Sequence, residues 1–187
     1  MTSAQKILII VAVVIVLSVG GLALMDDAPP QARYEPGSHA ARSLFRVAAQ
    51  YAGLPTEWAD SEALHELLRR ESGGWVGRPN YTFGELAATK NAARWPTEVW
   101  ARLRAGEVWT KSTATGLGQL LTSNAKAKYP HGLDGIGQPL DEAVGMLRYI
   151  EDRYGSPETA LKMHGKTGYY VHTSTGAKKI KSFQEGY

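Results

Sequence analysis

The sequence predicts a mainly α protein, a single helical domain behind an N-terminal transmembrane helix. Three observations carry that expectation. Residues 7–25, "ILIIVAVVIVLSVGGLALM", hold no charge. Several later segments repeat apolar residues at helical spacing, each between a capping residue and a glycine. The rest of the chain leaves room for at most a small hairpin between Trp75 and Glu107, and it shows no internal repeat.

The elements follow in order. As a helix, residues 7–25 span about 28 Å, close to the hydrocarbon thickness of a bilayer. Lys6 precedes the stretch and Asp26 and Asp27 follow it, which favours an N-terminus in the cytoplasm and the remainder outside. The length favours an anchor over residues 1–27. The small residues Gly21 and Ala23 also suit a signal peptidase, and with either outcome the domain is exported. Residues 28–38, rich in Pro, read as a linker. The domain itself runs over 39–171. Ser38 caps a helix that Gly53 closes, and a second helix runs from about Asp60 to Ser72 and stops at Gly73-Gly74. Residues 79–95 are ambiguous. "PTEVWARLRAG" gives a short helix with Thr97 as cap and Gly106 as terminator, and "TGLGQLLTSNAKAKY" starts on glycines and turns helical. Leu140, Val144, Leu147, Ile150 and Tyr154 share a helical stripe that ends at Gly155, and Ser156-Pro157 starts another helix. Residues 172–187 read as a basic flexible tail; from Leu161 onward there are five Lys against one Glu.

Composition narrows the function. A net charge of +3 is too mild to argue for a nucleic-acid partner. With no Cys there is no disulfide framework, no thiolate zinc site and no Cys nucleophile. His65-Glu66 begins like the zinc-protease H-E-x-x-H, but position 69 is Arg, and no other His has metal-ligand spacing, so no metal or cofactor is expected.

One carboxylate stands out. In "SEALHELLRRESGG" each helical residue turns by about 100°. With Ala63 at zero, Leu67 lies near 40°, Leu64 near 100° and Leu68 near 140°, all set by that step. Glu71 falls at about 80°, inside the apolar stripe. Partial burial and the negative end of the helix both disfavour its ionised form. A carboxyl that holds its proton near neutral pH can act as a general acid. The same placement also fits a Glu paired with a buried Arg, or one at a frayed helix end.

Four stretches in fixed order carry a family resemblance. "LLRRESGG", "STATGLGQLL" (112–121), "LDEAVGMLRYIEDRYGSPETAL" (140–161) and "HGKTGYY" (164–170) together resemble the Slt-type lytic transglycosylases, phage-encoded members included. The resemblance spans about Ser61 to Tyr170. It implies the α+β lysozyme-like superfamily, peptidoglycan glycan strands as substrate, and cleavage of the bond from N-acetylmuramic acid to N-acetylglucosamine. Glu71 is then the single acid/base, and the sugar's own 6-hydroxyl closes an anhydro ring. Ser72, Gly118, Gln119, Tyr149, His164 and Tyr169 are the implied substrate-side residues. His164 departs from the family, which has Tyr there. Gln119 follows a Gly-x-Gly turn whose amides can approach a ligand, and its own amide offers a donor and an acceptor to an N-acetyl group. Tyr149 lies beside the 140–154 stripe and fits the core equally well.

The insertion between Glu71 and Gly116 holds Trp75, Trp95, Trp100 and Trp109, rings that either extend a sugar cleft or pack a subdomain. A hydrolytic phage lysozyme would want Asp nine residues after Glu71, where Asn80 stands. A goose-type hydrolase stays open, with Asp60, Glu85 or Asp134 as water positioners. A third reading is a membrane-tethered protein that holds peptidoglycan without cutting it.

Overall fold

The computed structural model describes residues 33–80, 91–107, 112–165, 169–173 and 176–180. The stretch at 7–25, Glu85 and Trp109 lie outside them. Among the described residues no helix is long and apolar enough to cross a membrane. The described chain is mainly helical, as its periodicity predicts.

Helix α1 (His39–Ala52) starts where Ser38 Oγ accepts from Ala41 N and ends at Gly53, whose φ of 69° lets the chain turn back. A 3₁₀ turn (Thr56–Asp60) leads to α2 (Glu62–Glu71), capped by Ser61 Oγ. Two glycines stop α2. At Gly74, φ is 81°, and a Cβ would stand 2.0 Å from the Tyr34 carbonyl oxygen, so no other residue fits.

Residues 92–104 are helical throughout, as a 3₁₀ turn (Ala92–Arg94), a wider π turn (Trp95–Trp100) and α3 (Ala101–Arg104). The expected cap Thr97 is therefore interior, and its hydroxyl donates to Arg94 O. Asn91 does the capping, by accepting from Ala93 N. The sequence left room for at most a small hairpin within 75–107, and the described part of that stretch has none. Single bridges, Pro79 to Thr115 and Thr115 to Leu120, tie the loop after α2 to the Gly-Leu-Gly turn.

Helix α4 (Thr122–Lys128) and a 3₁₀ turn (Gly132–Gly135) lead to α5 (Pro139–Tyr154). Helix α6 (Pro157–Met163) begins on the Ser156 hydroxyl. A hairpin follows, β1 (Tyr169–Thr173) antiparallel to β2 (Gly176–Ile180), with Tyr169 opposite Ile180 and Thr173 opposite Gly176. Residues 172–173 and 176–180 of the expected flexible tail thus belong to a sheet that begins at Tyr169. Its strands are five residues each, too short for period-two alternation to stand out.

Two cores result. Leu44, Phe45, Leu64, Leu68, Val144 and Leu147 join α1, α2 and α5. Trp95, Val99, Trp100, Leu103, Leu120, Tyr129 and Ile136 form the second. Two of the four Trp in the insertion, Trp95 and Trp100, are each 3% exposed and serve packing; Trp75 lies partly buried against them. Helix α5 is buried around most of its first three turns, from Pro139 to Leu147. The charge-free run Ala143–Leu147 is the sequence signal of a helix with no solvent face there.

Candidate active site

Leu64, Leu67 and Leu68 bury one face of α2, and the 100° step carries that face to Glu71 at the last turn. The Glu71 side chain is 10% exposed. Its Oε1 lies 2.9 Å from Nε2 of His164, a residue 93 positions later in the chain. Burial is the dominant influence and raises the Glu71 pKa above its ordinary value. The charge and hydrogen bond of His164 oppose it without cancelling it. The alternative in which a buried Arg holds Glu71 does not occur: Arg69 and Arg70 turn outward and both bind Glu66.

His164 directly follows α6, whose Ser156 cap and Pro157 start fix its entry. Helix α6 is held to α2 by the Ser61 hydroxyl, which donates to Glu158 at 2.7 Å. The side chain expected as a substrate contact therefore reaches Glu71 itself. Nothing local in the sequence signals that pairing.

Ser72 is fully buried. Its hydroxyl accepts from Gly74 N at 3.1 Å and donates to Leu68 O, so it shapes the turn after Glu71 and presents no surface to a ligand. The peptide oxygen of Ser72 accepts from Arg78 Nη1 at 2.7 Å. The peptide oxygen of Arg78 in turn accepts from Gln119 Nε2 at 2.8 Å and from Gly116 N at 2.9 Å. Arg78, which sequence reasoning passed over, thus joins the turn that carries Glu71 to the turn that carries Gln119.

Gln119 sits at φ 46°, the one described non-glycine residue with positive φ. Such strain persists where surrounding contacts impose it, often at functional sites. The conformation folds the side chain back, and Nε2 donates to Arg78 O and Gly116 O. Both amide hydrogens are spent internally, which corrects the expected donor-plus-acceptor role. The side-chain oxygen is the end left for a ligand.

The glycines of this turn also face inward. A Cβ on Gly118 would stand 2.9 Å from Met146 Cβ, and one on Gly116 would stand 2.6 Å from Glu142 Cδ. The Leu117 amide donates to Glu142. Close approach is indeed the reason for these glycines, but the approaching group is α5, not a sugar.

Tyr149 is half-buried between the two cores, with its hydroxyl accepting from Arg153 Nη1 at 2.6 Å. Tyr169 opens β1, which lies beside α5. Of the hydrolase candidates, Asp60 lies at the opposite end of α2, about 14 Å along the axis, and binds Arg46. Asp134 is exposed in the 3₁₀ turn before α5. His65 is buried edge-on to Phe45 and bonded to Ala59 O. Among the described residues no group of three or more His, Asp or Glu is placed to hold a metal. Comparison of the chain with family models, with curated proteins and with solved structures gives no match.

Proposed function

We propose that the protein is a lysozyme-like lytic transglycosylase that cuts peptidoglycan glycan strands with Glu71 as its general acid and base. The observation that carries the reading is the Glu71 carboxyl: it ends a buried stripe, is one-tenth exposed, has its pKa raised by burial, and meets the imidazole of His164. The four-motif resemblance supplies the substrate.

In the first step the Glu71 proton passes to the glycosidic oxygen as the bond from C1 of N-acetylmuramic acid breaks. In the second, the Glu71 carboxylate takes the proton of that sugar's 6-hydroxyl, whose oxygen bonds to C1 and leaves a 1,6-anhydro end. Glu71 is restored and no water is consumed. An Nε2–H on His164 donates to Oε1 in the carboxylate stage and holds the group in place between the steps. A retaining hydrolase needs a second carboxylate about 5 Å away. Among the described residues the buried glutamate Glu142 has both oxygens filled by backbone amides and is fully enclosed, so it does not serve as that second carboxylate.

On this reading residues 7–25 tether the protein to the membrane, with the N-terminus in the cytoplasm and the domain on the wall side. The test is turbidity loss of purified peptidoglycan with the full chain in detergent, wild type against Glu71→Gln, followed by mass spectrometry of the products. Anhydro ends lack one water relative to hydrolysed ends. Hydrolysed ends would move the protein to the goose-type reading. Equal effect, or none, from both proteins would leave a wall-holding role.

A further inference from the structure

Glu142 enters no step of the proposed chemistry, yet among the described residues it is the carboxyl that accepts from the most backbone amides. It is 0% exposed, in the first turn of α5. Its oxygens accept from Gly77 N at 3.0 Å, from Leu117 N at 3.0 Å and from Gly137 N at 2.8 Å. These amides belong to three different loops: the one after α2, the Gly-Leu-Gly turn, and the one before α5. The cradle is built for this group. A Cβ on Gly116 would meet the carboxyl carbon at 2.6 Å, and Cβ atoms on Gly77 and Gly137 would strike the Trp100 ring at 2.1 and 2.4 Å. Trp100 closes the far side by donating from Nε1 to Gly77 O at 2.8 Å.

Two of those loops make the candidate site. Gly77 precedes Arg78, which holds the Ser72 oxygen beyond Glu71, and Leu117 lies in the turn whose next-but-one residue is Gln119. We propose that Glu142 is a positioning residue that, from inside the core, sets the register of the Glu71 turn against the Gln119 turn. An apolar side chain in its place would leave three buried N–H groups without acceptors, so the loops would lose their common reference. The other titratable groups that face it are Asp141, which neighbours it on α5 and binds His131, and the buried Tyr129 hydroxyl. Burial pushes Glu142 up to about 7, against the pull of the three amides, so its charge can be switched in ordinary buffers.

The inference rests on the reading of Gln119 as a sugar contact, and the test separates the two. In the ¹⁵N-labelled full chain in detergent, the backbone amides of Gly77, Leu117 and Gly137 should titrate together with one midpoint. The Gln119 side-chain amide, bonded two links away, should follow at that same midpoint. In Glu142→Gln the KM for soluble wall glycans should rise about tenfold with kcat within about threefold, a split that a smaller folded fraction does not produce. A Gln119 resonance that ignores the titration of the three amides, or an unchanged KM in a folded Glu142→Gln, overturns the proposal. Should Glu142→Gln not fold, the wild-type titration decides alone. A wild type that cuts no glycan defeats the transglycosylase reading and leaves the NMR result to judge the positioning role.

Discussion

Glu71 and Glu142 are both buried glutamates, and their surroundings could hardly differ more. Glu71 sits at the last turn of a helix, one-tenth exposed, with the single imidazole of His164 beside it. Glu142 sits in the first turn of a helix, wholly enclosed, with amides from three loops on its oxygens. Burial raises both pKa values, but of the two only Glu71 keeps some exposure to solvent. The lesson is that a displaced pKa marks a candidate acid only when geometry leaves an oxygen free. A carboxyl saturated by backbone donors is a strut.

The largest effect should come from breaking the first member of the pair. Glu71→Gln keeps the shape and removes the proton. Loss of a general acid costs about 10²–10⁴-fold in rate, so glycan cleavage should fall by that factor, read as release of soluble fragments. Near-UV circular dichroism should be unchanged. A residual rate within threefold of wild type would remove Glu71 from the chemistry.

The second member should show in stability rather than rate. The native pKa of Glu142 is raised, from an ordinary 4.5 to about 7. The folded state therefore takes up this proton before the unfolded state does as pH falls. The resulting stabilisation is fully present below pH 4.5 and is lost as pH rises through about 7. That interval corresponds to something on the order of 3 kcal/mol. Glu71 contributes in the same direction, so the measurement is a difference: urea unfolding of wild type minus Glu142→Gln, at pH 4.5 and at pH 8. The wild type should lose stability across that range and the variant should lose less. Parallel curves would show that the amides hold Glu142 ionised throughout.

The contrast between the two glutamates also shows what the chain reveals when read alone. Helices α1, α2, α5 and α6 were legible because their signals are local: Ser38 and Gly53, Gly73-Gly74, Gly155, and Ser156-Pro157 all bound their helices as their chemistry predicts. Glu71 was legible because a fixed angular step places it among leucines a few residues away. Glu142 was not, since an acidic residue in a first helical turn is ordinarily a solvated partner of the helix dipole. Its amides come from loops 65, 25 and 5 residues distant. The Gly116-Leu117-Gly118 turn was read as opening toward a ligand; close approach was the right inference, but a sequence does not say from which side. His164 lies in the same class, since only the packing of α6 on α2 brings it to Glu71.

The partner of Glu71 gives the third and smaller effect. His164 lowers the Glu71 pKa through its charge and its hydrogen bond, against a larger upward push from burial. In His164→Leu both opposing influences go. The acid form then persists to higher pH, so the alkaline limb of the kcat/KM profile should move upward, while His164→Gln, which keeps a donor, should move it less. A limb that stays in place in both variants would mean that the contact is packing alone, and Glu71 would differ from Glu142 only in exposure.

The smallest effect tests whether that limb belongs to the interior at all. Arg70 is the nearest cation to Glu71 in sequence, but it lies about 100° around the helix, is exposed, and binds Glu66, in a pair separated by four residues. Exposed pairs of this kind contribute little and are screened by salt. Arg70→Ala should therefore leave both the thermal midpoint and the alkaline limb where they are, at low and at high ionic strength. If the limb moved upward in Arg70→Ala and the shift faded with added salt, surface charge would be supplying part of what is here assigned to burial and His164. The distinction between an acid with one imidazole and a strut with three amides would then have to include the solvent side of α2.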